Sequence, residues 1–298
     1  MTPRFSTVGL MGRLADPQVT EMAVRLAKQL GLAKVQVYAD EALDLPASTG
    51  IQVLPIAALA AKADLLIVVG GDGTLLKATH AVTARPIPLV GVNLGRLGFL
   101  ADITPDQVQH DIAAILKGEY SSEERLVLQG QALRDGRAEA ARPALNDVVV
   151  HKSDGGRLIE FETYVDGHFV CAYRADGIVV ATPTGSTAYA LSGGGPIVHP
   201  AMDAIALVPI CPHTLGDRPI VVAGNSVIEI RIGDTHGGRA QVTWDGQHAE
   251  MLETGERVQV RRAERRLSFI HPRGYDYYTI LRTKLHWGGR ANHHPDKH

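Results

Sequence analysis

Leu65-Leu66-Ile67-Val68-Val69-Gly70-Gly71-Asp72-Gly73-Thr74-Leu75-Leu76-Lys77 is the run that decides the fold. Five consecutive apolar residues predict a buried strand, and the change of pattern after Gly73 predicts a glycine turn followed at once by a helix. Open α/β sheets bind ligands at this kind of edge. Glycines there permit unusual backbone angles and close approach of a ligand, and the free N–H groups of a helix start attract phosphate. The run is not a Walker loop, because no Gly-Lys-Ser/Thr ending follows and Lys77 stands four residues after the last glycine. Phosphate contact would therefore be made largely by backbone. Taken alone, Gly-Gly-Asp-Gly allows a second reading, in which Asp72 shapes the turn or caps the helix.

Working outward, the short apolar runs Thr7 to Met11, Lys34 to Tyr38 and Ile87 to Val92 join Leu65 to Val69 as parallel strands with crossover helices between several of them. Val19, Met22, Ala23 and Leu26 recur at helical spacing and predict one apolar stripe. The clearest helix is predicted from Thr104, with Thr104 and Gln107 as a capping box, Pro105 at the first helical position, Gly118 as the stop, and Val108, Ile112, Ile115 and Leu116 as the core face. After about Tyr120, β-type runs alternate with the turn pairs Asp135-Gly136, Asp166-Gly167 and Gly233-Asp234. The fold class expected is an α/β N-terminal domain with a Rossmann-like parallel sheet, residues 1–122, followed by a mostly antiparallel β-sandwich, residues 123–276. The strands expected in the second half are Leu126 to Leu133, Asn146 to His151, Leu158 to Val165, Ile178 to Ala181, Ser226 to Ile232, Ala240 to Trp244, Arg257 to Arg262 and Leu267 to His271. A last helix, 277–287, is expected to pack back on the first domain, and 288–298 to fray as a polar tail.

Composition narrows the function. Across 298 residues, 30 Lys+Arg against 32 Asp+Glu leave a formal charge of -2, so no global basic field favours a nucleic-acid partner. The start lacks a basic region followed by a long apolar core, and no apolar run approaches the roughly 18 residues that span a bilayer, so no membrane role and a cytoplasmic location are expected. Cys171 and Cys211 stand singly in apolar stretches without CxxC spacing and read as small buried hydrophobes. The 13 histidines show no HExxH or Cys/His ligand spacing, so no protein metal centre is expected.

Four further segments are candidates for a ligand site. Asn93 to Leu100 follows the strand after Gly-Gly-Asp-Gly and is expected to line the same edge, or, unless another ligand-binding segment converges there, to be an ordinary strand-to-helix turn with Phe99 in the core. Asn146-Asp147 sets an amide beside a carboxylate at the head of Val148-Val149-Val150, a pair suited to a base edge or ribose diol, or equally to a turn. Tyr173 to Pro196 runs a strand into Thr182-Pro183-Thr184-Gly185-Ser186-Thr187-Ala188-Tyr189, where short hydroxyls, glycines and Tyr189 are placed together. Trp244-Asp245-Gly246-Gln247 ends another strand in an Asp-Gly turn.

In this order, Gly70 to Gly73, Asn93 to Leu100, Asn146-Asp147, Tyr173 to Gly177, Thr182 to Tyr189 with Ser192 to Pro196, and Asp245 to Gln247 resemble the bacterial NAD kinases over nearly the whole chain. The resemblance implies ATP-dependent phosphorylation of the 2′-hydroxyl on the adenosine ribose of NAD. Asp72 would be the base, and Gly70, Gly71, Gly73 and Thr74 would hold the phosphate donor, with a divalent cation, Mg²⁺, on the polyphosphate. Asp72 and Gly73, Asn146 and Asp147, Thr187, Ala188, Tyr189, Ala190, Leu191 and Ser192, together with Arg157, Arg174, Asp176 and Gln247, would contact NAD. A homodimer or homotetramer acting on small-molecule nucleotides is implied. Asp147 departs from the Glu of many relatives and shortens the reach by one methylene. The alternatives are a lipid or sugar kinase that shares Gly-Gly-Asp-Gly, and a non-catalytic dinucleotide sensor.

Overall fold

The computed structural model describes residues 4–13, 16–83, 85–95, 98–153, 157–214, 216–234 and 239–287. The chain divides into two compact units, Met1–Glu123 with Ser268–His298, and Glu124–Leu267. The expected polar tail, 288–298, lies outside the described residues, as do Arg96 and Leu97 of the second glycine loop. No helix among the described residues is long and apolar enough to cross a membrane.

The first unit is an α/β layer. Its sheet runs in the order Gln52–Leu54, Gln36–Asp40, Thr7–Gly12, Leu65–Val69, Leu89–Val92, Leu267–Pro272, Tyr120–Arg125, and the first six strands pair in parallel. Leu65–Val69 is fully buried, as its unbroken apolar run predicts for a strand covered on both faces. Two strands start two residues later than expected for local reasons. Lys34 takes the left-handed φ of 59° before Gln36–Asp40, and Pro88, which has no N–H, precedes Leu89–Val92. The helix Pro17–Leu32 is capped by Asp16, whose side chain accepts from Gln18 N–H, and buries Val19, Met22, Ala23 and Leu26. The helix expected from Thr104 begins at Val108 instead. Thr104 Oγ1 donates to the side chain of Gln107 at 3.2 Å rather than forming the reciprocal backbone cap, and residues 104–107 remain a turn. Its core face, Val108, Ile112, Ile115 and Leu116, is as predicted. The last helix is Tyr277–Leu285.

Leu267–Pro272 corrects the expected assignment of Leu267 to His271 to the second half. It pairs in parallel with Leu89–Val92 through Phe269 and Leu89, so the chain returns to the first sheet before its last helix. Alternation of buried and exposed residues cannot distinguish the two destinations, because both sheets bury one face of such a strand.

The second unit is a β-sandwich. One sheet runs Ile220–Ala223, Ala204–Ile210, Gly177–Ala181, Asp147–Lys152, Ala240–Trp244, His248–Leu252; the other runs His168–Ala175, Ile159–Val165, Ile228–Ile232, Arg257–Arg262, Leu128–Arg134, Arg137–Ala138. Neighbouring strands within both are antiparallel. Side chains from both, among them Val148, Val180 and Trp244 from one and Phe161, Ile230 and Val260 from the other, form a single apolar core. The Asp135-Gly136 and Asp166-Gly167 pairs take positive φ at both positions, the geometry that tight hairpins require. Both cysteines depart from expectation: Cys171 is only partly buried, and Cys211 is exposed at φ 46° just after Ala204–Ile210.

Candidate functional site

In the first unit the glycine turn leaves the carboxyl end of Leu65–Val69 and enters the helix Asp72–Val82. Gly70 has φ 150°, and a Cβ there would lie 2.6 Å from Thr74 Oγ1, so only glycine fits. Gly71 and Gly73 are exposed, with open space where a side chain would be. At this helix start Gly70 N–H donates to Val92 O at 2.8 Å and Thr74 N–H to Gly71 O at 2.9 Å, so backbone contact with an anion falls to residues 71–73.

Asp72 is the first residue of that helix, and its carboxylate accepts three backbone bonds from the neighbouring loop: Phe99 N–H at 2.9 Å, Leu100 N–H at 3.1 Å and Ala101 N–H at 3.3 Å. Gly98 lies so close that any Cβ would overlap the Asp72 carboxylate. The two glycine loops therefore converge as expected, and Asp72 is their junction. Asn93 shapes the second loop, accepting from Gly95 N–H at 2.9 Å and donating to Ala101 O at 3.4 Å.

In the second unit, Asp245 gathers the amides of Leu145 to Asp147 as Asp72 gathers those of the second glycine loop. Its carboxylate accepts from Leu145 N–H at 2.8 Å, Asn146 N–H at 2.8 Å and Asp147 N–H at 3.1 Å, while Asp245 N–H donates to Asp147 O at 3.0 Å. Asp245 and Gly246 form the Ala240–Trp244 to His248–Leu252 hairpin with φ of 50° and 64°. The Asp-Gly turn was legible in the sequence; that its carboxylate gathers three amides 98 to 100 residues away was not. Asn146 is half-buried and Asp147 buried. Burial, then the nearby Asp245 carboxylate, pushes the Asp147 carboxyl up to about 7.

The hydroxyl-rich turn packs against the same segment. Thr182 Oγ1 donates to Leu145 O at 2.5 Å and accepts from Gly185 N–H at 3.0 Å, and a Cβ on Gly185 would overlap the Asn146 carbonyl. Ser186 Oγ donates to Pro183 O at 2.6 Å and accepts from Val198 N–H at 2.9 Å, and Thr187 Oγ1 donates to Thr184 O at 3.2 Å. Arg125, buried, donates to Thr184 Oγ1 at 3.4 Å. These hydroxyl protons are thus committed to holding the turn, not held out for a ligand. Thr187 and Ala188 are half-buried, Leu191 likewise, while Tyr189 and Ser192 are exposed; Ala190 packs its side chain among Val149, Val179 and Val208.

The remaining predicted residues lie around this patch. Asp176 pairs with Lys152 Nζ at 2.7 Å. Arg174 is exposed on the edge strand His168–Ala175, Arg157 is exposed before Ile159–Val165, and Gln247 is half-buried just past the hairpin turn. Among the described residues no group of three acidic, His or Cys side chains is placed to hold a metal ion.

Known proteins match this arrangement over almost the whole chain. A family model described as the ATP-NAD kinase N-terminal domain matches residues 8–120, and one described as the ATP-NAD kinase C-terminal domain matches residues 145–272. An NAD kinase of Thiobacillus denitrificans is 49% identical over 286 residues, covering 95% of this chain and 98% of its own length. One from Chromohalobacter salexigens is 46% identical over 287 residues, covering 96% and 98%. Among solved structures, a yeast NADH kinase complexed with NADH aligns with a TM-score of 0.89 at 25% identity over 99% of this chain and 91% of its own. An NAD kinase from Archaeoglobus fulgidus in complex with ATP aligns with a TM-score of 0.73 at 26% identity, covering 93% and 99%.

Proposed function

This chain belongs to the ATP-NAD kinase family, and on that premise we propose that Asp72 is the base for transfer of a phosphoryl group from ATP to the 2′-hydroxyl of the adenosine ribose of NAD. The activity is that of an NAD kinase, with NAD and ATP as substrates. The hydroxyl oxygen forms the new bond to phosphorus, the bond from that phosphorus to the bridging oxygen of ADP breaks, and the O–H proton passes to the Asp72 carboxylate, leaving NADP and ADP. A carboxylate is a weak base at neutral pH, so its contribution must come from placement. The observation that carries the reading is that placement: three backbone amides and the bare Cα of Gly98 fix the Asp72 carboxylate at the mouth of an exposed glycine turn.

Gly70, Gly71, Gly73 and Thr74 are proposed to cradle the phosphates, Gly71 and Gly73 through backbone N–H at the helix start, and Gly70 and Thr74, whose own N–H groups donate to Val92 O and Gly71 O, by shaping the turn. Mg²⁺ would enter on the polyphosphate, as this ion commonly does, and when bound would offset phosphate charge. Asn146 and Asp147, with Thr187, Ala188, Tyr189, Leu191, Ser192 and Gln247, are proposed to hold the dinucleotide, with Asp176, Arg157 and Arg174 at its edge. Ala190 contributes backbone alone, because its side chain is in the core. A homo-oligomer and a cytoplasmic setting belong to the same reading. Exposed Phe169 on the strand that carries Arg174 supports the first, and two free cysteines, one exposed, support the second.

A coupled assay with NAD, ATP and Mg²⁺, detecting NADP with an NADP-specific dehydrogenase, tests the base. Asp72→Asn keeps the shape and one of the two acceptor oxygens but cannot take the proton, so kcat is expected to fall by about 10²–10⁴ with NAD binding retained. A mutant that keeps its turnover would overturn the assignment of Asp72. The lipid- or sugar-kinase reading is not favoured, since both family domains match in order.

A further inference from the structure

Outside the groups assigned so far, the first unit buries one histidine between two carboxylates. His271 is 1% exposed; its Nδ1 lies 2.9 Å from Asp102 Oδ2, its Nε2 lies 3.5 Å from Glu123 Oε2, and its ring stacks on Tyr275 with centroids 3.8 Å apart and planes 13° apart. Nδ1 facing a carboxylate carries its proton and donates it. His271 stands on Leu267–Pro272, the strand that returns from the far end of the chain and lies between Leu89–Val92 and Tyr120–Arg125. Asp102 directly follows the three residues whose N–H groups hold Asp72.

That loop is anchored on both sides of Asp102: besides the bond from Asn93 Nδ2 to Ala101 O at 3.4 Å, Ala101 packs so closely on Gly91 that a Cβ there would overlap it. Gly98 N–H donates to Ala101 O at 3.1 Å, closing a turn, and Ile103 is bridged to the strand below, donating to Gly91 O at 3.2 Å and accepting from Asn93 N–H at 2.8 Å. Between the turn and the bridge, the side chain of Asp102 is buried, and its Oδ1 finds no hydrogen-bond partner among the described residues. The bond to His271 is therefore what fixes the carboxylate at this point of the loop. A shift at Asp102 is transmitted through one peptide unit to Ala101 N–H and so to the Asp72 carboxylate.

We propose that His271 is a positioning residue for phosphoryl transfer: through Asp102 it holds the Phe99–Ala101 amides in the geometry that orients Asp72. The role rests on the assignment of Asp72 as the base. It makes the returning C-terminal strand a structural part of the catalytic turn, and not merely a strand that completes the sheet.

The test is a double-mutant cycle of His271→Phe with Asp72→Asn, read by kcat, by KM for NAD and ATP, and by thermal unfolding. Phenylalanine keeps the ring stack on Tyr275 and removes the donor. In the parent background His271→Phe is expected to lower kcat by about 10- to 100-fold with both KM values within about twofold, since small misplacements of reacting groups cost this much. His271→Asn, whose amide can donate to Asp102 from near the Nδ1 position, should recover most of the loss. In the Asp72→Asn background, His271→Phe should change kcat by less than about twofold, because the group it positions is gone. Equal losses in both backgrounds, or a folded His271→Phe enzyme with parental kcat, would overturn the inference while leaving Asp72 as the base. Full turnover of Asp72→Asn alone would overturn both. If His271→Phe does not fold, Asp102→Ala runs the same cycle and carries the same expectations.

Discussion

Gly98 shows how much one missing methyl group can decide. The Asp72 carboxylate occupies the space that any Cβ at this position would need, and its three amide bonds come from the residues just after it. Gly98→Ala should leave the strands and helices intact yet displace Asp72, because the obstruction is a side-chain carboxylate and not the core. We expect kcat to fall by about 10²-fold with a small change in melting temperature, measured by the coupled assay and by calorimetry on the same preparation. Unchanged kcat would mean that the carboxylate can be reoriented without cost. The glycine was legible in the sequence as part of a loop after a strand. Its reason was not, since the atom it accommodates belongs to Asp72, 26 positions earlier.

At the scale of elements, the two turns use one device: a carboxylate gathers consecutive backbone N–H groups from a segment remote in sequence. In the sandwich, Asp245 gathers the start of Asp147–Lys152 and so sets a second carboxylate, Asp147, in a buried place nearby. Asp147 ionises near 3.8 in its ordinary state and is pushed up to about 7 here, so the folded chain keeps a proton that the unfolded chain has released. Stability therefore falls as pH rises from about 4 to about 7 and levels off above that interval. Asp147→Asn, which mimics the protonated form, should raise stability by on the order of 1–3 kcal/mol at pH 8 and leave it nearly unchanged near pH 4, as read from melting curves at the two pH values. A parent and variant that respond alike to pH would show that Asp147 is not the group being titrated.

For the whole molecule, the edge strand His168–Ala175 exposes Phe169 and carries Arg174, an arrangement suited to a subunit contact. Phe169→Asp should shift the particle to a smaller mass in sedimentation or light scattering and weaken apparent NAD affinity several-fold if Arg174 acts at that contact; an unchanged mass would place the interface elsewhere. The parallel sheet, the glycine turn, the first helix and the alternating strands of the sandwich could all be read from the sequence, because each is dictated within a few residues by apolar periodicity, glycine φ and capping side chains. Ala204–Ile210, fully buried yet not anticipated, was concealed by Pro209, which cannot donate to a ladder and argues against a strand inside a sheet. The family motifs likewise lie in short stretches and point to the dinucleotide and its phosphate donor without a structure. Only the tertiary fold decided that Leu267–Pro272 returns to the first sheet, that Asp72 is tied to Phe99–Ala101, that Asp245 gathers Leu145–Asp147, and that Thr182, Ser186 and Thr187 spend their protons inside the turn. These are choices among hydrogen-bond partners far apart along the chain, and local pattern holds no information on which partner folding will bring within 3 Å.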